Sequence, residues 1–120
     1  MSWRGPGVQR TRMMAEYLRS CARWRLDRAD ELDGGGNARS ALGLLDAAVY
    51  AENMADSERV VVRMVVAGCF ALGRFNPGAE GEWIIRCWHY EDSEGGPLDL
   101  FGAVATAAEH GLVPALRIRA

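Results

Sequence analysis

The sequence predicts a mainly α fold, a small globular domain of about four helices, and three observations carry that expectation. Apolar residues recur at spacings of three and four along segments too long for ordinary strands. Strong breakers stand at Gly34-Gly35-Gly36 and Asn76-Pro77-Gly78. Helix-opening chemistry sits at Asp56-Ser57-Glu58 and at Pro97. With 120 residues, 49% of them apolar and 25% charged, the chain has globular composition and supports one core but not two.

Residues 1–8, which include Gly5-Pro6-Gly7, read as a flexible leader ahead of a single domain over 9–120, because glycine and proline oppose a helix start. The first helix is expected over about 9–32. Met14, Tyr17, Leu18, Cys21, Trp24 and Leu32 mark one face, and Arg12, Glu16, Arg19 and Arg23 mark another. Arg12 with Glu16 and Arg23 with Asp27 are four apart, a spacing that allows local ion pairs. Three glycines then stop the helix, since each is entropically costly inside a regular element.

A second helix is expected over about 38–55, with Leu42, Leu45, Val49 and the alanines at 41, 48 and 51 on one broad side and Asp46, Tyr50 and Asn53 on the other. The third segment, about 58–75, is ambiguous in kind because Val60, Val61, Val62, Val65 and Val66 are β-branched. Its length and the polar residues at its start favour helix, and a helix that apolar belongs at the centre of the core. Residues 82–90, rich in aromatic and β-branched side chains, fit an extended segment or a short helix equally. An acidic loop over 91–96 leads to a last helix over about 97–110, with Phe101, Val104, Ala105 and Ala108 as its buried stripe and Gly111 as its stop. Residues 112–120 read as a frayed end or an edge strand. The alternative architecture is α+β, with strands near 60–67, 82–90 and 115–119.

Charge is unevenly placed. Residues 1–28 hold seven of the fourteen arginines against only Glu16 and Asp27, so that a segment of about +5 precedes a body of about −7. There is no lysine, which excludes Schiff-base, pyridoxal phosphate and P-loop chemistry within this sequence. The start of the chain lacks the apolar core of a secretory signal, and the longest apolar run falls short of the ~20 residues a membrane helix needs, so a cytoplasmic protein without membrane contact is expected. Three widely spaced cysteines without a CxxC pair suit reduced thiols.

These features point to a small non-catalytic interaction or regulatory module that associates through the basic amphipathic first helix. The expected partner is another protein or a second copy of the chain, which would make it an oligomer. The candidate contact residues are Arg12, Arg19, Arg23 and Trp24, with Trp83, Trp88 and Tyr90 as an aromatic cluster suited to an association hot spot. Nucleic acid is the alternative partner, because guanidinium groups on a helical face match phosphates, although a net charge of −2 opposes long-range attraction to it. A third reading is a thiol or metal enzyme built on Cys87 and His89, two potential ligands that fall on one side of a strand. The standard catalytic and nucleotide-binding motifs do not occur. No cofactor, metal site or catalytic residue is expected.

Overall fold

The computed structural model describes residues 7–88 and 96–119, and every regular element among them is helical. Helix α1 spans Gly7–Asp27, α2 Gly36–Asn53, α3 Arg59–Val66, α4 Gly78–Arg86 and α5 Pro97–Arg119, with a 3-10 turn at Glu31–Asp33. The protein is mainly α, with five helices among the described residues. The α+β alternative is thereby corrected: its proposed strands fall largely within α3, α4 and α5, and none of their described residues forms a strand. Residues 1–6 of the expected leader lie outside the described residues, and Gly7 and Val8 already belong to α1.

Helices α1 and α2 form an antiparallel pair. At one end Arg25 Nη1 donates to Asn37 Oδ1 at 3.1 Å, and at the other Arg10 lies 3.8 Å from Asp56. The turn between them begins sooner than expected. α1 ends at Asp27, and Leu32, expected on its apolar face, is 93% exposed in the 3-10 turn. Asp30 and Asp33 build a reciprocal capping box on that turn. Gly34 and Gly35 follow at φ 67° and 80°, the left-handed region that side chains with a Cβ disfavour, so two of the three glycines are required by the chain path.

The pair packs through small residues. Ala15, Leu18 and Ala22 of α1 are buried, as are Ser40, Ala41, Leu44, Ala47, Ala48 and Ala51 of α2. Small side chains let two helix axes approach closely, and the burial follows that rule more than it follows side-chain size.

Helix α3 is shorter than expected and does not occupy the centre. Val60, Val61 and Met64 are buried, whereas Val62 and Val66 are exposed. Its end is set by Gly68 at φ 92°, with Gly68 N–H donating to Val65 O and Cys69 N–H to Met64 O, both at 3.0 Å. That pair of bonds is a Schellman stop. The cap expected from Asp56-Ser57-Glu58 is not made by a side chain, because Asp56 turns toward Arg10.

Helix α5 is the hub, packing against α2, α3 and α4. Its stripe of Phe101, Val104, Ala105 and Ala108 is buried as expected, but the helix runs through Gly111 and Pro114 to Arg119, so its backbone there is neither frayed coil nor strand. Residues 82–86 are helical, as part of α4, which buries Gly81 and Ile85 against it. The expected turn at Asn76-Pro77-Gly78 is present, with Gly78 N–H donating to Asn76 Oδ1 at 2.9 Å. Phe75 anchors the preceding loop by meeting Tyr17 of α1 edge to face, with ring centres 5.3 Å apart.

Candidate functional site

Helix α1 turns Thr11, Met14, Ala15, Leu18 and Ala22 inward. At about 100° per residue, Arg12, Arg19 and Arg23 then share one flank, while Tyr17, Cys21 and Trp24 share the other. The basic flank is used internally only in part. Arg19 pairs with Glu52 of α2, whereas Arg10, which pairs with Asp56, falls on the Tyr17 flank. Arg12 and Arg23 are exposed and form no ion pair among the described residues, and the expected Arg12–Glu16 and Arg23–Asp27 pairs are not made. Such exposed pairs gain little against the entropy of fixing two long side chains.

The Arg19–Glu52 pair shows which side of α2 adjoins this flank. Tyr50 marks the opposite side, its ring 6.1 Å from that of Phe101 in α5. Between these two sides lies a stripe that the sequence groups with the alanines on one broad side. Leu42, Leu45 and Val49 are 67%, 37% and 54% exposed. This corrects the expected phase of α2: the alanines at 41, 48 and 51 are buried with Leu44, and the larger apolar residues face outward. Helical geometry sets Asp46 beside the stripe on the α5 side, exposed and without an ion pair among the described residues. Across one face of the molecule the order is therefore cationic row, apolar stripe, carboxylate.

The other flank of α1 looks onto α4 across a recess of about 270 Å³, lined in part by Tyr17, Cys21, Trp24, Arg25, Glu82 and Arg86. The guanidinium carbons of Arg28, Arg86 and Arg25 lie 3.7, 5.2 and 5.6 Å from the centre of the Trp24 ring. Arg25 Nη2 donates to the Arg86 carbonyl, tying the two helices together, and Arg86 Nη2 lies 2.8 Å from Glu82 Oε1. Burial pushes the Tyr17 phenol and the Cys21 thiol up, so both stay protonated near neutral pH.

The residues singled out in the sequence do not share one surface. Arg12, Arg19 and Arg23 line one flank of α1 and Trp24 the other. Trp83 stands 67% exposed on α4, and Trp88 is half-buried against the core. Tyr90 lies outside the described residues, as does His89 of the expected Cys87–His89 pair. Cys87 is exposed at the end of α4. Among the described residues no three His, Cys, Asp or Glu side chains gather as metal ligands. No helix of the described residues is long and apolar enough to cross a membrane.

No known protein family, curated protein or solved structure matches this chain.

Proposed function

We propose that this protein is a non-catalytic interaction module that pairs with a second copy of itself through the outer face of α1 and α2. The observation that carries the reading is the exposed stripe Leu42, Leu45 and Val49 between the cationic row of α1 and Asp46. A two-fold axis through the stripe lays apolar on apolar and brings each cationic row over the other copy's Asp46. An isologous interface requires that kind of self-complementarity. A stable interface on this face covers about 800 Å² per partner, roughly a tenth of the 7837 Å² that the protein exposes. The free thiols Cys21, Cys69 and Cys87 are compatible with the reducing cytoplasm, where we place it.

Sedimentation equilibrium across a concentration series tests this. The expected mass rises to twice the 13.1 kDa of the chain, and Leu45→Glu holds it at the monomer value. A wild-type mass that stays monomeric at high micromolar concentration removes the proposal. Titration with a short duplex at two salt concentrations addresses the nucleic-acid alternative, which requires binding that collapses as salt rises.

A further inference from the structure

We propose that the recess between α1 and α4 is a binding site for a small planar organic anion, an aromatic monocarboxylate being the simplest member of the class. The site lies on the flank of α1 opposite the self-association face and does not depend on it. Three features define the ligand.

The first is unbalanced charge. Arg25 and Arg86 line the recess against Glu82 as the one carboxylate among its described lining residues, and Arg28, outside that lining, adds a third guanidinium against the Trp24 ring. The second is spare donor capacity. Arg25 Nη1 and Nη2 each make one hydrogen bond, to Asn37 and to the Arg86 carbonyl, and each Nη carries a second N–H. Glu82 engages Arg86 only through Nη2 in the ion pair, and a guanidinium has five N–H donors to offer. The third is shape. Leu44, Tyr17 and Trp24 supply apolar and aromatic walls, and the volume of about 270 Å³ falls just under the ~300–1,000 Å³ of sites for drug-sized ligands. A flat ring bearing one carboxylate satisfies all three, whereas inorganic phosphate leaves the aromatic walls uncovered. The protonated phenol of Tyr17 and thiol of Cys21 suit a site that holds its ligand rather than attacks it.

Two-dimensional amide NMR of the intact protein, titrated separately with benzoate, benzamide and inorganic phosphate, tests the assignment. Benzoate is expected to bind at millimolar or lower concentration, shifting the Trp24 indole N–H and the amides of Ser20 and Cys21. Benzamide should shift them at least tenfold less. Arg86→Gln should weaken benzoate about tenfold, the loss typical of one charge-assisted hydrogen bond. Ser20→Phe leaves both guanidiniums in place and fills the recess, so it should abolish the shifts while the rest of the spectrum stays folded. The proposal fails if benzoate leaves the Trp24 signal unmoved, or if benzamide or phosphate shifts it equally. It also fails if the changes centre on Arg12 and Arg23, or if Ser20→Phe binds like wild type. Leu45→Glu should bind benzoate normally, which separates this outcome from that of the self-association test.

Discussion

Arg63 joins α3 to the hub helix through a single side chain. Its Nε donates to Glu109 Oε2 at 3.1 Å and its Nη2 to Glu109 Oε1 at 2.6 Å, and Nη2 also reaches Thr106 Oγ1 at 3.0 Å. The Arg63 hydrogen bonds hold the Glu109 carboxyl below its ordinary range. A carboxyl whose folded pKa is depressed adds stability above its unfolded pKa and loses it as pH falls through the folded value. Glu109→Gln should therefore lower the melting temperature near neutral pH, and the gap to wild type should narrow steadily below about pH 4, as thermal melts over an acid series will show. Gly81 makes a different contribution. A Cβ built there lies 2.8 Å from Pro77 Cβ and 3.3 Å from Val104 Cγ1, so α4 meets α5 closely at this point. Alanine is the better helix former by ~1 kcal/mol, but the clash is with a proline ring that cannot swing away. Gly81→Ala is expected to destabilise by about 1–3 kcal/mol, read as a lower denaturant midpoint at unchanged slope.

Helices show where sequence periodicity succeeds and where packing decides instead. The stripe of α5 was legible because Phe101 and Val104 are large and the opposite side carries Asp99, Thr106 and His110. The breaks at Gly34-Gly35-Gly36 and Asn76-Pro77-Gly78 were legible because backbone chemistry alone dictates them. The phase of α2 was not, since alanines and larger apolar residues cover both sides of it and periodicity gives no clear inward direction. Close approach to α1 chooses the small side, Ala41, Ala48 and Ala51 with Leu44, and leaves Leu42, Leu45 and Val49 outside. A sharp contrast between neighbours follows. Leu44→Ala should cost about 2–5 kcal/mol, while Leu45→Ala should change the stability of the monomer by no more than about 0.5 kcal/mol, both measured by urea unfolding at low protein concentration. The kind of element that residues 82–86 form was equally hidden, because Trp83, Ile84 and Ile85 suit a strand and only burial of Gly81 and Ile85 fixes the helix. The basic row of the candidate surface was visible in the sequence. The recess was not, since it needs Trp24 and Arg86 brought together across some sixty positions.

For the molecule as a whole, the question is how the +5 segment meets the −7 body. Folding neutralises part of that asymmetry through Arg10–Asp56 and Arg19–Glu52 and leaves Arg12 and Arg23 facing solvent. In a two-fold dimer these cations and Asp46 meet across the interface rather than within one chain, and that distinction can be measured. Arg12→Glu with Arg23→Glu in one chain sets like charges against the partner copy's carboxylate and should weaken self-association by about tenfold or more, because like-charge juxtaposition costs several kcal/mol. Asp46→Arg should do the same from the other side. In an equimolar mixture of the two variants, the reversed row of one chain faces the new guanidinium of the other, while its own Asp46 faces an unaltered cationic row. Both contacts are attractive again. Sedimentation of the mixture should recover a heterodimer at close to wild-type affinity, and raising the salt should erase the difference between mixed and unmixed samples while the apolar stripe keeps some dimer. A mixture no more associated than its components would mean that the cationic row and Asp46 do not meet, and the two-fold arrangement would have to be abandoned.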